Sequence, residues 1–364
     1  MAALIDLTKG MRMNCDNCMN MQGGGADLKK APSKRKRPLP LVGPITYYLP
    51  IRNGRPCMDG MTGELRLIAQ AELSVVRGEF EGMNRFYAAI RKDGRNFLTA
   101  AGVALFAAVG TDDPRLFDTV LKDIAAYPSR YGTPEAKLAV EIVMTWLRNF
   151  LRVSTTYPSW LEHFDLSIFP GEWRHQVAYL VVERLERKGD YQSAEILAEV
   201  LLGLESEKMV KSSAADIYLK VAKAIVCRDD GRMAEAARWC RAAVESAKLQ
   251  GIVLPFLGVM MGPKSVMERV LMEDAPELLT KIKQLTNGFF RNLVKFHNRY
   301  TGDSVTEELR PREFYIAGLI KRGARYKEIA ERTGMSEGRV RNTVSDIYDI
   351  LHIKRGAEIG NLVW

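Results

Sequence analysis

From about residue 60 onward the apolar residues recur with a helical period, and this periodicity is the strongest constraint on the fold. In segment 64–77, Leu65, Ile68 and Leu73 share one side of a helix, as an amphipathic α-helix requires. Alternating strand patterns are nearly absent, and segment 152–172 is typical of a loop or irregular cap. The sequence therefore predicts an all-α fold. Six further segments repeat the helical pattern: 116–126, 135–151, 173–188, 193–204, 214–227 and 233–249.

The longest uncharged apolar stretch runs from Asn96 to Thr111, which is sixteen residues. A membrane-spanning helix needs about 20 apolar residues. We therefore expect a buried core helix here and no membrane segment. A secretory signal pattern is also absent from the first fifteen residues. Only five cysteines occur, without regular spacing, which favours a reducing, cytoplasmic location.

Two short segments within the helical region resemble each other. Gly189 and Gly231 are each followed, five positions later, by Ala194 and Ala236. Glycine accepts the left-handed turn that ends a helix, and the small alanine lets the next helix pack closely. A weaker third copy begins at Gly78. The pattern is similar to tetratricopeptide repeats and predicts a helical solenoid, although the 42-residue spacing of the two better copies exceeds the usual ~34. A generic helical bundle is the alternative.

Positive charge is concentrated at the two ends of the chain. Residues 1–55 hold ten Lys and Arg against three Asp and Glu, and residues 309–364 hold eleven against seven. Residues 1–45 lack the apolar content of a core, so we expect a disordered basic tail. Its run 29–38 resembles a nuclear-import signal, while a solvated tail that adds phosphate affinity is the simpler interpretation.

The last segment predicts four short helices. The first begins at Pro311, where the missing N–H has no cost, and ends at Gly323. The second covers 326–332, and Gly334-Met335-Ser336 forms a turn in which Ser336 is a candidate N-cap. The third helix spans 337–351, and a fourth starts near Arg355. Two helices joined by a glycine-containing three-residue turn follow the helix-turn-helix plan.

In that plan the N-terminal residues of the second helix contact base edges in the major groove. Arginine suits guanine O6 and N7, and asparagine suits adenine N6 and N7. Apolar residues on the opposite face, Val340, Ile347 and Leu351, are expected to pack on Leu319, Ile329 and Ala330. The reading face has four polar residues: Arg339, Arg341, Asn342 and Ser345.

Segment 309–363 resembles the LuxR-type helix-turn-helix domain of bacterial transcription regulators. In that family the recognition helix reads bases around the positions of Arg341, Asn342 and Ser345, and the positions of Lys327 and Arg339 meet phosphates. Thr343 stands where the family usually has His. The resemblance rests on Leu309, Pro311-Arg312-Glu313, Gly323, Lys327-Glu328-Ile329-Ala330, Ser336, Val340-Arg341-Asn342, Ile347, Leu351 and Ala357-Glu358. It implies a DNA-binding set of Lys327, Ser336, Arg339, Arg341, Asn342, Thr343 and Ser345.

The region before this segment resembles the tetratricopeptide-like sensor of maltose-regulator-type LuxR proteins. Three parts are predicted: a tail over 1–45, a helical-repeat sensor over 46–300 and a DNA-binding domain over 301–364. The resemblance implies a transcription regulator that binds double-stranded DNA as a homodimer through its fourth helix and responds to an unknown ligand or protein. The alternative is an interaction scaffold with a degenerate helix-turn-helix.

Three other features are weak candidates for chemistry. Segment 258–265 nearly fits a phosphate-binding loop, but Pro263 removes an N–H that such a loop offers. Cys15 and Cys18 lack the second ligand pair of a structural zinc site. His163 and His175 flank an aromatic stretch and fit either an effector pocket or an ordinary surface or core position. We expect no enzymatic activity, no cofactor and no metal.

Overall fold

In the computed structural model, helices account for most of the described residues, as the apolar periodicity predicts. The structure describes residues 51–52, 55–56, 58, 61–92, 94, 96–151, 153, 157–169, 171–207, 214–257, 265–302, 309–351, 353–354 and 356–359. The predicted tail over 1–45, including Cys15 and Cys18, lies outside these ranges, as does segment 258–264.

Seventeen helices and one short strand pair make up the described residues. The pair was not predicted: β1 (Ile51–Arg52) lies antiparallel to β2 (Arg55–Pro56). The helices follow as α1 (Gly63–Val76), α2 (Met83–Ala89), α3 (Phe97–Thr111), α4 (Pro114–Tyr131), α5 (Pro134–Phe150), α6 (Ser159–Glu162), α7 (Gly171–Lys188), α8 (Tyr191–Glu207), α9 (Ala214–Asp229), α10 (Met233–Lys248), α11 (Leu254–Leu257), α12 (Val266–Asp274), α13 (Pro276–Thr301), α14 (Pro311–Lys321), α15 (Tyr326–Thr333), α16 (Glu337–Ile350) and α17 (Gly356–Ile359).

Helix α3 is the centre of the N-terminal half. Every residue from Phe97 to Val109 is buried, because α1, α2, α4, α5 and α13 all pack against it. A helix that is apolar all round needs such complete coverage. The prediction of a core helix at 96–111 is therefore confirmed. Among the described residues, no helix has both the length and the apolar character needed to cross a bilayer.

The glycines of the two similar segments end helices as predicted. Gly189 ends α7 with a φ of 78°, and Gly231 ends α9 with a φ of 80°. The residue after each glycine forms a backbone hydrogen bond to the helix that has just ended. The Asp190 N–H donates to the Leu185 carbonyl at 3.0 Å, and the Arg232 N–H donates to the Cys227 carbonyl at 2.8 Å. These are Schellman turns. Consecutive helices from α7 to α10 then pack on one another, and the alanines that follow the turns, Ala194 and Ala236, are buried.

After α10 the chain returns to its first helix. The Val253 N–H donates to the Val76 carbonyl at 2.8 Å, and Arg77 Nε donates to the Gln250 carbonyl at 2.7 Å. The long helix α13 then packs against α3, α11, α12 and α14. A solenoid repeat contacts only its neighbours. This protein departs from that pattern, because residues after α10 contact the end of α1 and because α13 connects the N-terminal helices to the C-terminal ones.

Replacement of Gly231 by alanine tests the repeat turn. No atom lies within 4 Å of an added Cβ, so the cost is the left-handed backbone itself, about 1–2 kcal/mol in the free energy of unfolding. Gly288→Ala is the control: it lies exposed inside α13, also with open space, and should stabilise by up to about 1 kcal/mol. Urea unfolding measures both variants, and a stabilising Gly231→Ala would contradict this account of the turn.

Candidate nucleic-acid interface

Helices α14 to α17, hereafter the C-terminal module, have the order and nearly the bounds that the sequence predicts. The Arg310 N–H donates to Glu313 Oε2 at 2.8 Å, and the Arg325 N–H donates to Glu328 Oε2 at 2.9 Å. Each glutamate thereby satisfies a free donor at the start of its helix. The Ser336 hydroxyl accepts from the Arg339 N–H at 3.3 Å, which confirms Ser336 as the N-cap of α16.

The apolar side of α16 forms the core of the module. Val340, Val344 and Ile347 are buried, and α16 packs against α14 and α15. Leu351, which the sequence predicts on this face with Val340 and Ile347, is also buried, and so are their expected partners Leu319, Ile329 and Ala330. One face of α16 is therefore fixed by packing, and its opposite face is available to solvent.

The structure brings most of the predicted DNA-binding residues to that exposed face. Asn342 and Ser345 lie opposite the buried side, and Arg339 and Arg341 flank them on either side, as the helical repeat of 3.6 residues dictates. Thr343 is half-buried, so it borders the face without forming it. Lys327 lies separately, on the first turn of α15. The exposed members are Lys327, Ser336, Arg339, Arg341, Asn342 and Ser345.

Charge is unevenly distributed along α16. In its first two turns Arg339 and Arg341 outweigh the single acid Glu337, whereas the exposed charges of its second half are Asp346 and Asp349. The N-terminus of a helix also carries partial positive charge from its free N–H groups. An anionic partner is therefore attracted to the N-terminal half of α16 and repelled from its C-terminal half.

The C-terminal module is joined to the helical region by a buried ion-pair cluster, which we call the arginine joint: Arg228, Asp229 and Arg332. The side chain of Asp229 is fully buried. Arg228 Nε donates to Asp229 Oδ1 at 2.7 Å, and Arg332 Nη2 lies 3.2 Å from Asp229 Oδ2. The hydrogen bond of Arg332 Nη2 goes to the Tyr191 hydroxyl, which accepts it at 3.1 Å. Sequence reasoning did not identify this cluster.

Electrostatics keeps Arg332 charged within the joint. Burial is the largest influence on the pKa of Arg332 and lowers it, but the Asp229 carboxylate and Tyr191 together raise it by more, so the pKa stays above its ordinary value. Burial, aided by the Asp229 charge, raises the pKa of Tyr191. At neutral pH Tyr191 is therefore a hydroxyl that accepts from Arg332.

A second contact lies between α13 and α14. His297 is fully buried, and its ring meets that of Phe314 edge-on at a centroid distance of 5.6 Å. Its Nδ1 lies 2.7 Å from the Leu151 carbonyl oxygen. The module therefore docks through α14 and α15, and its docking leaves the polar face of α16 exposed.

The structure describes two of the other candidate residues, His163 and Ser265. His163 is exposed, and its Nδ1 lies 2.8 Å from the Ser159 carbonyl oxygen; the side chain of His175 is outside the description. Ser265, the last residue of the loop-like segment 258–265, caps α12 by accepting from the Glu268 N–H at 3.1 Å. His163 and Ser265 thus each make a local contact at the end of a helix, and the rest of segment 258–265 lies outside the described residues.

One group of potential metal ligands occurs among the described residues. Glu195, Cys227 and Glu235 place ligand atoms within 4.8 Å of one another. Arg232, however, donates to both carboxylates. Burial also raises the pKa of the Cys227 thiol, which disfavours the thiolate that binds metals. The cluster is thus an ion-pair network around Arg232.

Comparison with protein-family models, with curated proteins and with solved structures finds no match to this chain. The likeness to the LuxR type therefore stays a prediction from the sequence, and the function is argued from the residues themselves.

The arginine joint makes a prediction about stability. Asp229→Asn leaves two largely buried guanidinium groups without this fully buried carboxylate, and breaking a buried pair typically costs about 3–5 kcal/mol. The neighbouring Asp230 is the matched control, because its side chain is 48% exposed where it accepts from Arg232. Asp230→Asn should cost less than about 1 kcal/mol. Urea unfolding measures the free energy of unfolding of both variants. Equal losses would show that the buried Asp229 carboxylate stabilises the fold no more than an exposed one.

Proposed function

We propose that this protein is a sequence-specific DNA-binding transcription regulator whose C-terminal module acts as a LuxR-type helix-turn-helix. One observation carries the proposal. The face of α16 that holds Arg339, Arg341, Asn342 and Ser345 is exposed while the module is docked through its other helices. A recognition helix requires such a free polar face opposite a packed one.

In this proposal α16 enters the major groove by its N-terminal half, where its positive charge lies. Arg341 and Asn342 meet base edges, since arginine pairs with guanine and asparagine with adenine. Lys327 and Arg339 meet phosphates, which fix the register of the protein on the duplex. Ser336 contributes by holding the first turn of α16 in place.

We further infer that α7 to α10 are tetratricopeptide-like repeats that form the sensor of the regulator. The two Schellman turns and the buried alanines after them support this inference. The protein binds DNA as a homodimer through α17, with half-sites about 34–36 Å apart, one turn of the duplex. An effector on the helical region then shifts the balance between states that differ in DNA affinity.

A second candidate function is a protein-interaction scaffold in which the helix-turn-helix is degenerate. The exposed acids Asp346 and Asp349 favour it, because they repel phosphates from the second half of α16. A scaffold would select no DNA sequence, so the same experiment separates the two functions.

Selection from a random DNA pool tests the proposal. Purified full-length protein at about 150 mM salt, where phosphate contacts alone are weakened, should enrich one motif. Arg341→Ala should relax selection at one base position and cost about 1–3 kcal/mol there. Arg238→Ala is the matched control, since this arginine is 68% exposed and lies on α10, outside the module. Failure to enrich any motif, or equal effects of the two variants, would favour the scaffold.

Salt dependence tests the phosphate contacts separately. Lys327→Ala should weaken binding about equally to all sequences and reduce the slope of log affinity against log salt by about 0.9. Lys122→Ala removes the same charge from an exposed position on α4 and should leave the slope unchanged. Filter binding over a series of salt concentrations gives both slopes. A base-dependent loss for Lys327→Ala would mean that this residue reads sequence.

A further inference from the structure

A cavity lies between the helical region and the C-terminal module, beside the arginine joint. Its volume is about 240 Å³. Tyr179, Tyr218 and Trp146 line it from the helical region, and Tyr315 and Leu319 line it from the module. Anything bound there contacts both parts of the protein at once.

Aromatic side chains form one wall of the cavity. The Phe106 and Trp146 rings lie 4.4 Å apart between centroids, and Trp146 stacks on Phe150 at 5.8 Å with an interplanar angle of 4°. Tyr218 and Tyr179, which also line the cavity, meet edge-on at 6.2 Å between centroids. Flat apolar walls of this kind favour an aromatic ligand, because offset-stacked and edge-on contacts are the preferred geometries of aromatic rings.

Tyr218 supplies the second, independent observation. Its hydroxyl oxygen is buried and has no hydrogen-bond partner among the described residues. Buried polar groups nearly always have a partner, and each exception needs an explanation. Burial, with the charges of Glu72 and Glu183, raises the pKa of Tyr218 well above its ordinary value, so the hydroxyl keeps its proton and can donate. A molecule in the cavity can provide the missing acceptor.

The charged groups that line the cavity already have partners within the protein. Arg228 and Arg332 pair with Asp229, and Arg322 lies 4.0 Å from Glu186. Glu183 accepts hydrogen bonds from Asn149 and Tyr179. A charged ligand would have to compete with these partners in a partly buried place, which is costly. The existing pairs therefore favour an uncharged ligand.

We propose that this cavity binds a small neutral aromatic molecule with one hydrogen-bond acceptor, which accepts from the Tyr218 hydroxyl. The volume fits about ten non-hydrogen atoms, by comparison with a 150 Å³ cavity that holds benzene. Such a molecule is the effector of the regulator, and this last role alone rests on the proposed function.

Quinoline and naphthalene are the matched probes. Both are bicyclic and of the proposed size, but only quinoline has an acceptor nitrogen. Isothermal titration calorimetry on the full chain, without DNA, should show tighter binding of quinoline. Tyr218→Phe should weaken quinoline about three- to tenfold, the equivalent of one hydrogen bond, and leave naphthalene unchanged. Because the hydroxyl has no hydrogen-bond partner among the described residues, this variant should be no less stable than the parent.

Two further experiments, one with a cavity-filling variant and one with an anionic probe, can refute the proposal. Ala222→Leu fills part of the cavity from a half-buried wall position and should abolish binding of both probes. The anion 1-naphthoate should bind more weakly than quinoline. The proposal is overturned if neither neutral probe binds at its solubility limit, which is the behaviour of a cavity occupied only by water. It is also overturned if Tyr218→Phe leaves the affinity for quinoline unchanged, or if 1-naphthoate binds more tightly than either neutral probe.

The regulatory role is tested afterwards, by DNA affinity with and without quinoline. Binding of quinoline without any DNA binding would support the ligand site and refute the proposed DNA-binding function. DNA binding that quinoline leaves unchanged would sustain the site and the proposed function, and would overturn only the effector role.

Discussion

The Asp229 carboxylate, buried between Arg228 and Arg332, is the interaction that decides where the C-terminal module lies. Separating the partners of a buried ion pair is strongly destabilising, so the Asp229–Arg332 pair favours the arrangement in which α9 and α15 meet. Asp229 is placed there by the Gly231 turn, since it is the last residue of α9 before the chain reverses. A turn within the helical region thus positions a module that lies far along the chain.

The joint works together with α13, which packs on α3 at the core and on α14 in the module. With the module held by α14 and α15, the polar face of α16 stays accessible. In the proposed regulator the docked arrangement is therefore compatible with DNA binding, and no release of the module is needed. Regulation then acts through the joint and the cavity beside it, where a change in docking alters how two modules of a dimer are spaced.

Much of the fold follows from the sequence because it depends on local pattern. The uncharged stretch at 96–111 becomes the core helix, and Ser336, Gly189 and Gly231 mark helix ends by the geometry that they satisfy. The exposed face of α16 follows from the same periodicity. The arginine joint does not follow from the sequence, because Asp229 and Arg332 each resemble an ordinary charged residue near a helix end. Only the tertiary fold makes them partners, and the cavity with Tyr218 is likewise assembled from distant segments.

The central claim is that α16 is the DNA-reading surface of a docked module. Hydrogen exchange of the full chain, with and without duplex DNA at about 50 mM salt, tests it most directly, since phosphate contacts alone give binding at low salt. The account predicts new protection at the start of α16 and the start of α15, with the end of α9 as protected as before. Protection elsewhere with α16 unchanged, or exposure of the end of α9 on DNA binding, would contradict it.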